Sequence, residues 1–337
     1  MKIILHVGMP KCGSSALQTF LSSNEFIRLA GHRYGYAAIQ KEGHVISGDN
    51  LVKRAERNKF GYCDSIPSRG LHEFTDSEQA RASKALKELS KKYDTLILSC
   101  EDWGGAPEFF SDNGLFARNE IEVDVLAWVR PQCNWLNSAW WQWGAWADVS
   151  IERWLKNIRA RCDWGTLIQQ WSRKSWVNSV TVRMLRSNVI EDFLSVLGVT
   201  GQYQLESNQS FPASILRLFQ RHRELRPSPH DSAIEFALSR HFEFEDDPMP
   251  WVLDQQKVAE LIDYYRAGNL VLEEHLESGQ LELMRDDAKW FSSGPFRDKA
   301  VSDPYGGAVD CDHLEPLLVQ AMKIIDDLDN RLRSGRR

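Results

Sequence analysis

The first fifteen residues constrain the fold of this chain more than any other segment. Residues 3–7, Ile-Ile-Leu-His-Val, have the apolar character of a short buried strand. A glycine-rich run follows over residues 8–15, Gly-Met-Pro-Lys-Cys-Gly-Ser-Ser, and apolar residues then recur at helical spacing up to residue 23. A strand, a glycine turn and a helix in this order predict the opening unit of a parallel sheet.

Further apolar segments repeat this pattern. Strands are predicted over 94–99, 123–129 and 180–185, and helices over 75–92, 132–146 and 188–197. Strands that alternate with helices predict an α/β fold, a parallel sheet with helices on both faces, of the kind that binds nucleotides through a phosphate loop. Residues 31–72 are rich in Gly, Tyr, His and small polar residues, and we expect an irregular insertion there.

The second half of the chain is predicted to be mostly helical. Helices are expected over 212–224, 231–241, 254–276 and 313–333, separated by loops rich in Pro, Gly and Asp at 225–230, 245–251 and 292–312. We therefore divide the chain into an α/β core, 1–200, and a helical extension, 201–337, which is expected to pack on the core. The last helix carries a stripe at alternating spacings of four and three: Leu314, Leu318, Ala321, Ile325, Leu328 and Leu332. The stripe is too short for a coiled coil, so we expect it to pack on its own domain.

Composition excludes several classes of function. The chain has 337 residues, with 41 Lys and Arg against 47 Asp and Glu, and a net charge of −6. This balance argues against a nucleic-acid partner, because such proteins are normally basic. Any anionic ligand must then be held by local cations, and residues 1–40 do hold Lys2, Lys11, Arg28 and Arg33 against the single acid Glu25.

The sequence also bears on location and on metals. No apolar run is long enough for a membrane span, and residues 1–7 are too short for a signal-peptide core. Six cysteines are scattered through the chain without a CxxC pair or a Cys/His cluster, so no metal and no disulfide framework are expected. A cytoplasmic location fits these features best.

Residues 8–15 have the GxxxxG spacing of a phosphate-binding loop. Such a loop directs backbone N–H groups at a phosphate, with the start of a helix behind it. The version that binds nucleoside triphosphates continues Gly-Lys-Ser/Thr, whereas Ser14 stands here in the position of that lysine, and Lys11 is the only lysine in the loop. The alternative interpretation is a plain tight turn between strand and helix, and the spacing alone leaves both open.

A second basic position follows the third predicted strand. Arg130 ends that strand, and Ser138 lies about two turns into the next helix. Because ligands bind at the carboxyl ends of the strands in such sheets, Lys11 and Arg130 are expected to face one crevice, which suits a ligand with two separated phosphate groups. The alternatives are a surface ion pair for Arg130 and an ordinary helix-surface serine for Ser138.

Together these residues resemble the sulfotransferase superfamily, especially bacterial members that modify carbohydrates or small metabolites. The family's Pro-Lys-x-Gly-(Ser/Thr)-(Ser/Thr) loop matches residues 10–15, and its Arg and Ser eight residues apart match Arg130 and Ser138. Residues 180–199 also resemble the family's later strand–helix unit, so the resemblance covers about residues 1–200. Cys12 departs from the pattern, in which Thr or Ala is commoner.

The resemblance implies 3′-phosphoadenosine 5′-phosphosulfate (PAPS) as donor and no metal. The sulfuryl group would pass in line to a hydroxyl or amine of a carbohydrate or small-molecule acceptor. Lys11 would stabilise the charge that develops on the leaving phosphate oxygen. The 5′-phosphate would be held by Lys11, Cys12, Gly13, Ser14 and Ser15, and the 3′-phosphate by Arg130 and Ser138.

The acceptor needs a base to take its proton. Glu101, which follows the second strand, is the first candidate, and Asp102 beside it is a weaker one. His44 is the second candidate, because members of the family that the chain resembles often have a histidine in the insertion that corresponds to residues 31–72. The alternatives are a helix-capping or ion-paired Glu101 and a surface His44.

Tryptophan is concentrated in one region. Ten of the 13 tryptophans lie between Trp128 and Trp176. We expect most of them in the core and one or two in the wall of an acceptor site.

Two other functions stay open. A kinase with a degenerate phosphate loop could use Glu101 and Asp102 to hold magnesium, although the missing Gly-Lys-Ser/Thr argues against it. A non-catalytic module that binds an anion is the other, although the presence of Lys11 together with Glu101 argues against that. The sequence also leaves open whether the chain pairs with a second copy of itself in a homodimer.

Overall fold

The computed structural model describes residues 1–24, 26–29, 31–117, 121–199, 211–244, 247–307 and 311–334. Its strands are β1 (Lys2–Val7), β2 (Ile27–Leu29), β3 (His32–Ile39), β4 (Val45–Ser47), β5 (Thr95–Cys100), β6 (Glu122–Val129) and β7 (Val177–Met184). Its α-helices are α1 (Ser14–Ser22), α2 (Gly48–Arg57), α3 (Ser68–His72), α4 (Asp76–Leu89), α5 (Gln132–Gln142), α6 (Ile151–Ile158), α7 (Trp164–Ser172), α8 (Val189–Val196), α9 (Ala213–Arg221), α10 (Ala233–His241), α11 (Gln255–Glu273), α12 (Ser278–Asp286) and α13 (Cys311–Ser334).

The strands form one mostly parallel sheet in the order β2-β3-β5-β1-β6-β7, with β4 paired to β3. Strand β1 lies between β5 and β6 and runs parallel to both, and the pairs β3–β5 and β6–β7 are parallel as well. The short strands β2 and β4 run antiparallel to β3. The predicted α/β fold class is confirmed, and the carboxyl ends of β1, β5 and β6 meet at one edge.

The prediction of an irregular insertion over 31–72 is wrong. The segment contains β3, β4, α2 and α3, and the second half of β3 is fully buried. Glycine in this segment suggested irregular structure, but Gly35 lies inside β3, where a Cβ would collide with the ring of Tyr93. Gly35 is therefore there for a close approach inside a strand and does not mark a turn.

The chain divides into two compact units that are not continuous in sequence. The first comprises Met1–Trp135, Ile158–Ser207 and Val258–Phe296 and contains the whole sheet. The second comprises Leu136–Asn157, Asn208–Lys257 and Arg297–Arg337. No described helix is long and apolar enough to cross a membrane.

Most tryptophans of the rich region are buried, as predicted. In the first unit these are Trp128, Trp135, Trp164 and Trp171, and in the second Trp140, Trp141, Trp146 and Trp154. Trp143 and Trp176 are partly exposed. An acceptor wall built from one or two tryptophans stays a prediction.

The expected packing of the α13 stripe is wrong for its central residues. Leu318 is 63% exposed and Ile325 is 66% exposed, whereas Leu317 is buried. Gln320 exchanges two hydrogen bonds of 2.9 Å with the backbone of Glu243, so the packed face is the one that carries Leu317 and Gln320. The helix is thus rotated by about one residue, roughly 100°, from the predicted orientation.

Candidate active site

The loop after β1 is tied to the end of β5. The N–H of Gly8 donates to the carbonyl oxygen of Cys100 across 3.0 Å. A Cβ on Gly8 would come within 2.6 Å of the Ser14 hydroxyl and 2.8 Å of the Glu101 backbone, so a side chain is excluded by close approach. Gly13 has a φ of 88° and forms the left-handed N-cap from which α1 starts.

Lys11 lies at the centre of the loop in a conformation that is uncommon for a residue with a side chain. Its φ is 59°, in the left-handed region. Its N–H donates to Oε1 of Glu101 across 3.3 Å, and its carbonyl oxygen accepts from Nη1 of Arg130, also at 3.3 Å. The Lys11 residue is thereby held between the ends of β5 and β6, and the structure brings Lys11, Glu101 and Arg130 together.

Arg130 is partly exposed and otherwise surrounded by protein. Its backbone is fixed by the indole N–H of Trp164, which donates to the Arg130 carbonyl oxygen across 2.8 Å. Burial lowers the pKa of the guanidinium, and within the described ranges no carboxylate pairs with it. A cation taken from water without a counter-charge is costly, and a bound anion removes that cost.

The small residues of the loop turn their side chains inward. Cys12 is buried, and burial raises the pKa of its thiol to about 12, so the thiol stays protonated. Ser14 is buried as well and donates to the Met9 carbonyl oxygen across 3.4 Å. The first N–H groups of α1 lack partners within the helix, as at any helix start, and are the donors that this turn offers to an anion.

An extended segment, residues 62–66, crosses the carboxyl ends of two strands. Ile66 N–H donates to the Ile39 carbonyl oxygen at the end of β3 across 2.9 Å, and Ser65 N–H donates to that of Ser99 in β5 across 2.8 Å. Cys63 and Ser65 are buried, while the alternate residues Tyr62 and Asp64 are partly exposed. The side chain of Ser15, in the first turn of α1, lies close enough to the Tyr62 phenol to influence its pKa.

Tyr62 and Asp64 are not among the site residues predicted from the sequence. The alternation of small and polar residues after Gly61 is a period-two signal that could have suggested an extended segment. Nothing in it indicates which sheet edge the segment lies on.

The acidic groups at this edge influence one another. Burial is the main cause that raises the pKa of Glu101, and the charge of Lys11 opposes that rise. Burial together with the charge of Glu101 raises the pKa of Asp64 to about 7. The same two causes raise the pKa of the Tyr62 phenol. Two carboxyl groups that repel each other do not both ionise readily.

Two other candidates from the sequence have different surroundings. His44 lies in the turn after β3, is 63% exposed at its side chain, and has Glu42 at 3.8 Å. Asp102 accepts hydrogen bonds from the N–H and the hydroxyl of Ser68, so it holds the start of α3. The structure does not bring His44 into contact with the loop, and Asp102 has a structural partner.

Ser138 is buried in the part of α5 that belongs to the second unit, whereas Lys11 and Arg130 belong to the first. Its assignment to the donor stays a prediction. No cluster of three or more His, Cys, Asp or Glu side chains suited to a metal ion lies within the described segments.

A buried polar cluster lies beneath the loop. Nδ1 of His6 in β1 is 2.8 Å from the hydroxyl of Ser99 in β5, and Nε2 of Gln18 in α1 donates to that hydroxyl across 3.0 Å. Burial lowers the pKa of His6 to about 3, so its imidazole is neutral. The cluster joins the two strands and the helix that carry the loop.

The structure is similar to that of a solved sulfotransferase. The match is to the enzyme from Alicyclobacillus acidocaldarius, with 14% sequence identity and a TM-score of 0.38, and it covers 83% of this chain and 98% of that one. No family model matches the chain, and no curated protein does.

Proposed function

We propose that the chain is a sulfotransferase that moves a sulfuryl group from PAPS to a hydroxyl or amine of a carbohydrate or small-molecule acceptor. The observation that carries the proposal is the guanidinium of Arg130, which has no carboxylate partner in the described part of the chain and lies one hydrogen bond from Lys11. An arginine without a counter-charge beside a phosphate-type loop supports a ligand with two separate phosphate groups.

We assign each phosphate of the donor to residues of the first unit. The N–H groups at the start of α1, with Gly13, Ser14 and Ser15, are proposed to hold the 5′-phosphate, and Arg130 is proposed to hold the 3′-phosphate. As the acceptor oxygen bonds to sulfur, the bond from sulfur to the bridging phosphate oxygen breaks. The electron pair stays on that oxygen, where the Lys11 ammonium stabilises it.

The decisive experiment compares nucleotides by thermal shift. Adenosine 3′,5′-bisphosphate should raise Tm more than AMP or ATP, because only the bisphosphate occupies both phosphate positions. Equal stabilisation by AMP would contradict the two-phosphate site.

A kinase fits this site less well. Glu101 accepts a hydrogen bond from the Lys11 peptide and Asp102 holds Ser68, so both carboxylates proposed to hold magnesium have other partners. Turnover in excess EDTA separates the two enzymes, since a magnesium-dependent kinase loses activity. A purely anion-binding module would bind the bisphosphate and show no transfer from PAPS to any acceptor.

A further inference from the structure

We propose that Asp64, rather than Glu101, takes the proton from the acceptor, and that Glu101 instead fixes the Lys11 peptide. The inference rests on the proposed sulfuryl transfer and assigns the residue that acts on its acceptor side.

Glu101 already has a structural task. Its Oε1 accepts the N–H of Lys11, the residue of the loop with the left-handed φ. Burial raises the pKa of Glu101 overall, while the charge and the N–H of Lys11 act in the opposite direction. Protonating Glu101 would weaken the hydrogen bond by which it holds the Lys11 peptide, so a base separate from Glu101 leaves that contact intact during the reaction.

Asp64 has the position and surroundings of a base. The segment 62–66 is fixed by backbone hydrogen bonds to Ile39 and Ser99, so Asp64 is held rigidly at the carboxyl edge. It lies on the same side of the extended segment as Tyr62, whose phenol reaches Ser15 at the start of α1. The Asp64 side chain is partly exposed, as contact with an acceptor requires.

The charges around Asp64 favour proton uptake. The titratable groups that face it are Tyr36 in β3, Cys100 and Glu101 at the end of β5, and Tyr62 and Cys63 in its own segment. A backbone N–H of Asp64 itself opposes the rise in its pKa and is outweighed. Burial and the Glu101 charge raise its pKa to about 7, where a carboxylate is both substantially ionised and basic at neutral pH.

The proton transfer balances with the sulfuryl transfer. Asp64 accepts the hydrogen of the acceptor O–H, and the electron pair of that bond stays on the acceptor oxygen, from which a pair forms the new bond to sulfur. The bond to the bridging phosphate oxygen breaks with its pair on that oxygen, next to Lys11. The products are the sulfated acceptor, adenosine 3′,5′-bisphosphate and protonated Asp64, which returns its proton to water.

The test compares Asp64→Asn, Glu101→Gln and the exposed control Asp49→Asn on α2. Each variant is assayed with PAPS and a series of phenols of graded acidity, from phenol to 4-nitrophenol. Asp64→Asn should lower kcat on the order of a hundredfold or more with phenol and far less with 4-nitrophenol, which ionises without help. The acidic limb of the pH–rate profile near pH 7 should disappear in Asp64→Asn. In Glu101→Gln it should persist but move to lower pH, because the Glu101 charge that helps to raise the Asp64 pKa is removed. Glu101→Gln should lower turnover equally across the series.

The opposite pattern overturns the proposal. If Glu101→Gln removes the acidic limb and Asp64→Asn keeps both the limb and full turnover with phenol, Glu101 is the base. Binding of adenosine 3′,5′-bisphosphate to the unaltered protein is measured in parallel. If its preference over AMP is absent, the proposed function fails; if it is present, an unchanged Asp64→Asn variant refutes only the role of Asp64.

A second measurement does not depend on finding an acceptor. The carboxyl carbons of ¹³C-labelled aspartate are titrated by NMR, and the Asp64 signal is assigned by its loss in Asp64→Asn. A signal that titrates near pH 7 supports the proposal. A signal that titrates in the range of an exposed aspartate, about pH 4, overturns it whether or not any phenol is sulfated.

Discussion

The guanidinium of Arg130 donates a hydrogen bond to the carbonyl oxygen of Lys11 across 3.3 Å, and this contact joins the end of β6 to the loop after β1. The N–H of the same Lys11 donates to Glu101 at the end of β5. A single loop residue is therefore held from both neighbouring strands. Arg130, which is proposed to bind the 3′-phosphate, thus also positions Lys11, which is proposed to act at the 5′-phosphate.

Replacing Arg130 with alanine should weaken binding of the bisphosphate selectively. The loss of a charge-assisted contact to phosphate costs roughly 1.5–3 kcal/mol, which corresponds to about a 10–150-fold rise in Kd, while the affinity for AMP should change little. The Tm of the protein without ligand should change little. The variant loses the hydrogen bond to Lys11, and the removal of a partly buried cation that has no carboxylate partner among the described residues offsets that loss. Calorimetric titration with both nucleotides measures the difference.

Arg69→Ala is the matched control, because Arg69 is exposed and its ion pair with Glu73 lies on the surface. Equal losses for AMP and the bisphosphate in Arg130→Ala would place the 3′-phosphate elsewhere.

Gly8→Ala should damage the loop, while Gly105→Ala should not. A methyl group on Gly8 meets the Ser14 hydroxyl and the Glu101 backbone at under 3 Å, whereas one on Gly105 meets no atom within 4 Å. Overpacking of this kind costs about 1–3 kcal/mol of unfolding free energy. Urea unfolding measures the cost, and Gly8→Ala should also lose most of its thermal shift with the bisphosphate. A stable Gly8→Ala variant that binds normally would mean that the loop does not need this close approach.

The central strands could be predicted because their burial is continuous. Strands β1, β5 and β6 are apolar runs, as expected for parallel strands that are covered on both faces. Strand β3 could not be predicted in this way, since its first half carries polar residues. It also contains Gly35, which has no side chain because the ring of Tyr93 packs at that position. Because this contact is between residues 35 and 93, no local sequence pattern predicts it.

The site likewise contains residues whose proximity could be predicted from the sequence and one whose proximity could not. Lys11, Glu101 and Arg130 each follow a predicted strand, and parallel strands bring their carboxyl ends to one edge, so their proximity follows from topology. Asp64 reaches that edge only through hydrogen bonds such as that of Ser65 to Ser99, 34 residues further along the chain. Long-range pairing of an irregular segment has no periodic signal.

His6 should make the protein sensitive to mild acid. Its pKa is about 3 in the folded protein and near 6.5 when exposed, so the unfolded chain binds an extra proton below pH 6.5. Stability that is present above pH 6.5 is therefore lost as the pH falls toward 3, at up to about 1.4 kcal/mol per pH unit. His6→Gln should flatten this part of the pH profile of urea unfolding. Ser99→Ala should keep the slope, since burial and not the hydroxyl contact lowers the pKa, and an unchanged slope in His6→Gln would refute the assignment.

Asp64 should affect stability in the opposite direction, which gives a test that needs no ligand. Its pKa is about 7 in the folded protein and about 3.8 when exposed, so between these values the folded protein binds more protons than the unfolded chain. The contribution of Asp64 to stability is full below about pH 4 and is lost as the pH rises to 7. Asp64→Asn removes the buried charge, so it should stabilise the protein by roughly 2–4 kcal/mol at pH 8 and by little at pH 4.

The measurement is urea unfolding of Asp64→Asn and of the unaltered protein at pH 4, 6 and 8. The His6 and Asp64 contributions oppose each other between pH 4 and 6.5, so the unaltered protein should show a shallow profile there. Asp64→Asn should expose the full acid sensitivity that His6 causes, and the double variant His6→Gln, Asp64→Asn should lose both of these opposing contributions. Asp49→Asn, an exposed aspartate on α2, should follow the unaltered protein. An Asp64→Asn variant that is destabilised equally at all three values would show that Asp64 is ionised in the folded protein as readily as in the unfolded chain.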